Sequence, residues 1–421
     1  MKISSQSTWK MEKPLARRPK LSGSFAADVA IIGGGMTGIL NAYVLTKAGK
    51  KVALLEAERL LDGVTLYTTA FLTQVIDTDA RDMISLYGLR RAREIWRSHG
   101  QAISLIENII AVEGIECEFR RCNHSIYAVS EKEIAKLKEE QEALRKLGAR
   151  TVLKRKPALT ADIPAYLEIK DQAMFHPLKF LHALLERIEA NGAAVFEKSR
   201  VEKIRGRKNI TLVGQGFSVK AEQVITATYQ PFDNPLQVFL KKGMYRSYVF
   251  EARLTPGRFK EGTYEDLDNP YHYFRIDKRK GYDRLIFGGE DHRQEIKLSE
   301  RQAFASLQHQ LEKLLGPSRS NGCNIVRRWS SLILEPSDGL ALIGEYEPRR
   351  LLATAFSGNG MTYAAISALV NHDIISGKRN SLIGLYDPTR IPTLKQLAWK
   401  GADYGQEMAK GVIRIVASDL F

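Results

Sequence analysis

The first sharply patterned stretch is Val29, Ile31 and Ile32, an apolar run of the buried parallel-strand type cut at once by Gly33, Gly34 and Gly35. A helical stretch follows from Met36 to Ala48 with Gly49 placed as a left-handed cap, and Val52 to Leu55 form a second buried strand. Residues 28–56 therefore predict one compact βαβ unit. The preceding arm, residues 1–27, carries Pro14, Pro19, Gly23 and several serines, and is expected to lie irregularly across the surface of the first domain.

Ser130 with Glu133 three positions on reads as a capping box, before a surface helix whose stripe is Ile134, Leu137, Leu144 and Leu147. Another helix is expected from Leu178 to Ala190, then a strand pair from Ile204 to Val219 and the apolar segment Val224 to Thr228. Residues 240–295, rich in Tyr, Phe, Val and Thr with turns at Pro256, Gly262, Pro270 and Gly281, have the composition of antiparallel strands. The chain then repeats its opening theme. Leu351 to Ala355 are apolar, Ser357 to Gly360 form a glycine turn, Met361 to Ser376 are helical, and Gly377 caps them. Residues 391–421 form a loosely amphipathic tail, with Leu394, Leu397, Trp399, Met408, Val412 and Ile415, expected to dock on the protein's own surface in preference to a membrane.

Composition narrows the class without naming it. With 421 residues, 44% apolar and 26% charged, the chain reads as an ordinary globular protein of two or three units. The net charge of +15 is spread over short groups such as Arg90, Arg91 and Arg93, Lys154 to Lys156 and Lys278 to Lys280, with no basic arm, which argues for solvated surface and against nucleic acid. Three unpaired-looking cysteines, Cys117, Cys122 and Cys323, suit a reducing compartment, and residues 1–22 lack the apolar core of a signal peptide. A cytoplasmic location is expected. The eight histidines are dispersed, and no metal-ligand cluster is expected.

Gly33, Gly35 and Gly38 match GxGxxG. The first glycine makes the tight turn, the second admits a pyrophosphate to the backbone, and the third lets helix pack on strand. The positive end of the helix favours phosphate, and Glu56, 18 positions after Gly38, is placed to accept hydrogen bonds from a ribose diol. A dinucleotide is the expected ligand; the motif alone does not choose between FAD and NAD.

The stretch ADVAIIGGGMTGILNAYVLTKAGKKVALLEAE resembles the N-terminus of the D-amino-acid oxidase and glycine oxidase family of FAD-dependent amine oxidoreductases. The likeness continues in DQAMFHPLKFLHALLERIEANGAAVFEKSRVEKI (residues 171–204), WSSLILEPSDGLALIG (residues 329–344) and LLATAFSGNGMTYAAISAL (residues 351–369). GVTLYTTAFLT and LIFGGEDH look most similar to a branch often fused to a Rieske iron–sulfur domain. That domain needs CxH and CxxH pairs, and no cysteine follows Cys323, so the resemblance comes without the cluster.

The resemblance implies noncovalent FAD. It places the cofactor on Gly33, Gly35, Met36, Thr37, Gly38, Glu56, Ala57 and Thr228, with Thr68, Thr69 and Ala70 as the loop passing the flavin, Val201 near the adenine, and Gly358, Asn359, Gly360, Met361 and Thr362 at the ring. It points to Arg275 as the residue that holds a substrate carboxylate, with Tyr273, Tyr248 and His292 lining the pocket. Arg275 also lies in a strongly basic segment, where a solvated surface arginine is the competing reading, and simple packing competes for the other three.

The expected fold is α/β, α+β overall: a Rossmann-like FAD-binding domain with an inserted, mainly antiparallel substrate domain. The boundaries implied are 1–80, 150–235 and 325–390 for the first, 81–149 and 236–324 for the second, and 391–421 for a helical tail. The implied activity is hydride transfer from an amine or amino acid to flavin N5, with oxygen or an external electron carrier as acceptor. A flavin dehydrogenase of another small substrate, passing electrons to an iron–sulfur protein or quinone, and a flavin-binding protein without turnover are the alternatives.

Overall fold

The computed structural model describes residues 6–11, 14–155, 163–232, 242–268, 271–296, 298–316 and 322–401. In chain order the elements are β1 (Gly23–Ile32), α1 (Met36–Lys47), β2 (Val52–Leu55), β3 (Phe71–Leu72), α2 (Ala80–Glu113), β4 (Arg120–Ala128), α3 (Ile134–Leu147), β5 (Thr151–Arg155), β6 (Ala165–Met174), α4 (Pro177–Ala190), β7 (Ala194–Phe196), β8 (Val201–Arg205), β9 (Ile210–Gly214) and β10 (Phe217–Thr226). They continue with β11 (Lys242–Leu254), β12 (Gly262–Asp266), β13 (Tyr273–Arg279), β14 (Tyr282–Arg293), α5 (Glu300–Leu315), β15 (Cys323–Pro336), β16 (Leu342–Glu347), β17 (Arg350–Thr354), α6 (Gly360–Ile375) and α7 (Ser381–Tyr386), followed by helical residues 394–401.

Two sheets carry the molecule. The first runs β16-β17-β10-β1-β2-β7, with β1, β2, β7, β10 and β17 parallel, and β8 and β9 attached beside β10. Its central strands are buried on both faces, which is why Val29–Ile32 and Val52–Leu55 are apolar without alternation. β1 starts at Gly23 and not at Val29, because β10 extends the pairing back to Gly23↔Phe217. The second sheet runs β15-β11-β14-β13-β12-β4-β6-β3, with β5 beside β6, and is antiparallel except where β12 pairs with β4.

Sheet membership departs from the expected boundaries. β3, β6 and β15, which fall in the stretches assigned to the cofactor domain, all pair in the second sheet, since strands recruit partners by register across the chain and not by sequence neighbourhood. One continuous core joins the two layers, from Ile31, Leu40 and Leu54 through Ile103 and Leu181 to Ile126, Val249 and Trp329.

Local details differ from expectation in instructive ways. The N-terminal arm does not stay on the surface: Trp9 is wholly buried and Leu21 nearly so. At the start of α3 the expected capping box does not form: Ser130 makes no side-chain cap bond, and Glu133 accepts the Val129 N–H at 2.7 Å. A complete box instead opens α5, between Ser299 and Gln302. The strand pair expected over 204–219 belongs to a three-strand run, β8, β9 and the start of β10. Of the tail, residues 394–401 dock through Trp399, whose Nε1 donates to Asp82 at 3.1 Å, and Lys400, paired with Glu335 at 2.7 Å. Met408, Val412 and Ile415 lie outside the described residues. No helix among the described residues is long and apolar enough to cross a membrane.

Candidate functional site

The two glycine turns of the sequence open α1 and α6, and these helices lie against each other. Asn41 in α1 donates to Ser367 of α6 at 2.9 Å, and Asn371 of α6 donates back to Asn41 at 3.0 Å. Hydrogen bonds between buried side chains across the helix pair fix register, so both helix N-termini are aimed from one rigid pair.

Each glycine of the first turn has a measurable reason. Gly33 has φ +110, and a Cβ there would lie 2.4 Å from the Ala227 carbonyl oxygen. A Cβ on Gly38 would lie 1.9 Å from the Gly33 oxygen, which fixes the packing of helix on strand. At Gly35 the only neighbour is Thr65 Oγ1 at 3.1 Å, so that side is open for a ligand. Gly35 has no side chain to cap α1, and Thr65 Oγ1 accepts the Met36 N–H at 3.1 Å; the rest of the first turn and its positive end remain available to phosphate. Glu56, at the end of β2, accepts the Gly34 N–H at 2.8 Å and the Glu58 N–H at 2.8 Å. Each carboxylate oxygen keeps acceptor capacity for a ribose hydroxyl.

A cavity of about 890 Å³ runs from this turn to the second sheet, at the upper end of what small-molecule and cofactor sites occupy. Gly33, Gly35, Met36, Thr37, Glu56, Ala57, Thr68, Thr69, Val201, Thr228, Gly358, Asn359, Gly360 and Met361 all line it. Three expected residues do not. Gly38 serves packing, Ala70 is buried behind the loop at φ +58, and Thr362 Oγ1 is held by His99 Nδ1 at 2.8 Å inside the core. Burial of His99 pushes its ring down to about 3, so it stays neutral there.

The loop at Thr68 to Ala70 is pinned from behind. Its Thr68 carbonyl accepts Trp9 Nε1 at 2.5 Å, and Trp329 Nε1 donates to the Tyr67 carbonyl at 2.9 Å. Arg275 supplies the rest: its Nη1 donates to the carbonyls of Thr69 (3.1 Å), Ala70 (3.0 Å) and Phe175 (3.2 Å). The other face of the guanidinium binds Asp277 at 2.6 Å, and the Trp9 ring lies 5.1 Å away. Asp277 also receives Arg284 at 2.6 Å and Arg120 at 3.1 Å, and these guanidinium charges, against the cost of burial, hold its carboxyl well below the usual range. Arg275 is 1% exposed and does not line the cavity. Its donors are spent on the protein, which corrects both the carboxylate-holding role and the solvated-surface alternative.

Strand alternation sorts the remaining candidates. Ser247 and Val249 of β11 line the cavity, so Tyr248 between them points away, stacking on His292 at 5.6 Å and meeting Phe304 edge-on. Tyr248 and His292 therefore belong to the packing on the far side of the sheet. Tyr273 does line the cavity, with its hydroxyl 2.9 Å from Ser247 Oγ. Its ring fits because Gly288 lacks a Cβ, which would lie 2.5 Å from it.

Residues that sequence reasoning missed complete this end: Phe71, Asp77, Glu265 and Tyr271. Asp77 Oδ2 accepts the Gly358 N–H at 2.7 Å, Asn359 Oδ1 accepts the Asp77 N–H at 3.2 Å, and Asn359 Nδ2 donates to the Val75 carbonyl at 3.1 Å. Asp77 lies on the cavity wall with its side chain exposed there. Desolvation within the cleft, with the charges of Glu335 and Glu265, lifts its carboxyl to about 7 although the Gly358 N–H opposes the rise. No local motif marks Asp77; only the fold brings it to the second glycine turn.

The fold also gathers Asp266, Asp268 and His272, with ligand-type atoms within 4.8 Å of one another, a grouping not expected from the dispersed histidines. Hydrogen bonds account for it: Asp266 accepts from the Asp268 and His272 N–H groups and from the His272 ring at 2.9 Å. Burial works against a charge on His272, but its bonds to Asp266 and Glu290 outweigh that and lift the ring to about 9.

Residues 28–370 match the family model DAO, FAD dependent oxidoreductase. The Bacillus subtilis protein YhfW, described as a putative Rieske 2Fe-2S iron-sulfur protein, is 30% identical over 97% of this chain and 81% of its own length. Gamma-glutamylputrescine oxidoreductase of Escherichia coli is 23% identical over 85% of each chain. The crystal structure of glycine oxidase from Geobacillus kaustophilus superposes with a TM-score of 0.71 at 19% identity, covering 87% of this chain and 99% of that one. With the open Gly35 turn, Glu56 and the Gly358–Met361 turn on one cavity, the chain belongs to the DAO family of FAD-dependent oxidoreductases.

Proposed function

We propose that this enzyme oxidises an amine or amino acid at the carbon bearing nitrogen. FAD, when bound, supplies the acceptor for a hydride at N5. The substrate loses that hydride and a nitrogen proton, and water then hydrolyses the resulting imine to a carbonyl compound and ammonia or a smaller amine. The two electrons pass on to oxygen or to an external carrier.

The observation that carries this reading is the continuity of the cavity. One space joins the phosphate-accepting turn, Gly33–Thr37, to a chamber walled by Phe71, Ser247, Val249, Tyr271 and Tyr273, by way of the N-terminus of α6. Asn359 caps α6 without a side-chain bond, and a Cβ on Gly360 would meet nothing within 4 Å. The free first-turn N–H groups of α6 therefore supply positive potential where negative charge develops on a reduced ring. Glu56 would hold the ribose, and Thr68 and Thr69 would border the ring, kept in place by Trp9 and Arg275. Tyr271 and Tyr273 stay neutral phenols, since burial raises both well above the ordinary value, so they orient the substrate and do not take its proton. Among the described lining residues there is neither cysteine nor histidine, which supports noncovalent attachment.

The test is anaerobic. Purified holoenzyme is mixed with a panel of amines and amino acids while flavin absorbance is followed, and bleaching by at least one of them is expected. Reduction by dithionite but by no amine or amino acid would overturn the reading. Admitting air, or a separate iron–sulfur protein or quinone, to the reduced enzyme then distinguishes the acceptor.

A further inference from the structure

The charges on the cavity wall are not evenly placed. The two cationic side chains among the described lining residues are Arg59 and Arg200, and both sit with the nucleotide end: Arg200 pairs with Glu58 at 3.0 Å, and Arg59 donates to the Leu15 carbonyl at 3.2 Å. The chamber at the other end presents Asp77 and Glu265, both open to the cavity, and no described arginine, lysine or histidine on its wall. Arg275 is committed to three carbonyls and Asp277 behind the loop, and Lys400, outside the lining, is committed to Glu335 at 2.7 Å.

This wall is hostile to one substrate class and suited to another. A free carboxylate brought here would face two carboxylates without a cation, and an uncompensated buried charge is strongly unfavourable. An ammonium would instead meet Asp77, whose Oδ1 lies 3.4 Å from the Tyr271 hydroxyl, beside the Tyr271 and Tyr273 rings at 5.6 Å from each other. Aromatic faces attract a cation, and more strongly once it is desolvated. The nitrogen that loses hydride from its neighbouring carbon must be uncharged when it reacts, so the ammonium held at Asp77 is a second one.

We propose that the chamber selects an aliphatic diamine: Asp77, flanked by Tyr271 and Tyr273, binds the distal ammonium and so positions the other amine for oxidation, with no α-carboxylate in the substrate. This rests on the amine-oxidation reading above and specifies its substrate class. Glu265 adds to the negative field but is partly engaged, 3.3 Å from His124 Nε2. Asp77 is thus the specificity-determining residue.

Binding is measured anaerobically on the dithionite-reduced holoenzyme, which cannot accept a hydride, by isothermal titration calorimetry with 1,4-diaminobutane, n-butylamine and 2-aminobutanoate, so that the answer does not depend on turnover. The diamine is expected to bind at least tenfold more tightly than the monoamine, and the amino acid most weakly. Asp77→Asn, which keeps an acceptor for the Gly358 N–H, is expected to reduce the diamine's advantage over the monoamine to about twofold. Tyr271→Phe keeps the ring and is expected to preserve most of that advantage. An amino acid binding more tightly than the diamine, or an Asp77→Asn protein that keeps the full advantage with its FAD still bound, would overturn the proposal. Failure of every amine to bleach the flavin, with the calorimetric order as expected, would instead remove the oxidation reading and leave diamine recognition standing.

Discussion

Asp77 and Gly358 lie 281 residues apart in sequence, yet the Asp77 carboxylate accepts the Gly358 N–H at 2.7 Å and so fastens the irregular segment after β3 to the turn that opens α6. This contact joins the two sheets at the cavity wall, between the proposed nucleotide channel and the proposed substrate chamber. It also explains why the chamber's chemistry is carried by residues with no motif of their own.

Arg275 anchors the loop at Thr68 to Ala70. Replacing it by alanine strips donors from the Thr69, Ala70 and Phe175 carbonyls and one cation from buried Asp277, and breaking such a buried pair costs about 3–5 kcal/mol. Urea denaturation should show that loss together with reduced FAD retention. A variant of normal stability, altered only in its affinity for a carboxylate-bearing substrate, would contradict the assignment.

The glycines of the first turn should separate by mechanism. Gly38→Ala places a Cβ 1.9 Å from backbone and should fail to give folded protein, whereas Gly35→Ala meets only Thr65 Oγ1 at 3.1 Å and should fold. The latter should lose FAD affinity by about tenfold or more, equivalent to ~1.4 kcal/mol, read from flavin absorbance after dialysis. Equal FAD content in Gly35→Ala and the native protein would show that the ligand does not approach that backbone.

Two tyrosines one sheet apart should differ. Tyr248→Phe alters packing on the far face and should leave amine turnover within about twofold, whereas Tyr273→Phe removes the hydroxyl held by Ser247 at the cavity wall. A fall of about tenfold in kcat/KM is expected for Tyr273→Phe, corresponding to one hydrogen bond of roughly 1 kcal/mol or slightly more.

His272 makes stability depend on pH in a defined direction. Its folded value, about 9, lies above the ordinary 6.5, so its contribution is fully present below pH 6.5 and is lost as pH rises towards 9. The difference in Tm between the native protein and His272→Gln should therefore be constant below pH 6.5 and shrink by pH 9. A difference that grows over that interval would show that the ring is neutral between Asp266 and Glu290.

What the sequence reveals about this molecule follows the range of the forces involved. The βαβ unit from Val29 to Glu56 is legible because its apolar periods, glycines and acidic end are all local, and the same holds for the turn at Gly358–Gly360. α2 is not, since Ser98 and His99 interrupt its buried stripe to bond Tyr386 and Thr362, and Gly88 at φ +75 breaks its regularity. The substrate chamber is legible least. Ser247 stands where the β11–β14 register shifts at a bulge beside Glu290, at φ +57, and such irregularities decide which face a side chain takes. Asp77 and Tyr271 meet only after both sheets have formed. Arg275 shows the converse error: it has the right residue type, but packing behind the loop at Thr68 to Ala70 has already engaged every guanidinium nitrogen.

A crystal structure of the holoenzyme tests the central claim most directly. The account predicts the FAD ribose on Glu56, the pyrophosphate at the N-terminus of α1, and the ring between Thr68–Thr69 and Gly358–Gly360, facing Tyr273 and Asp77. A flavin ring outside that chamber, or Arg275 swung out of its carbonyl cage to contact a bound substrate analogue, would contradict it.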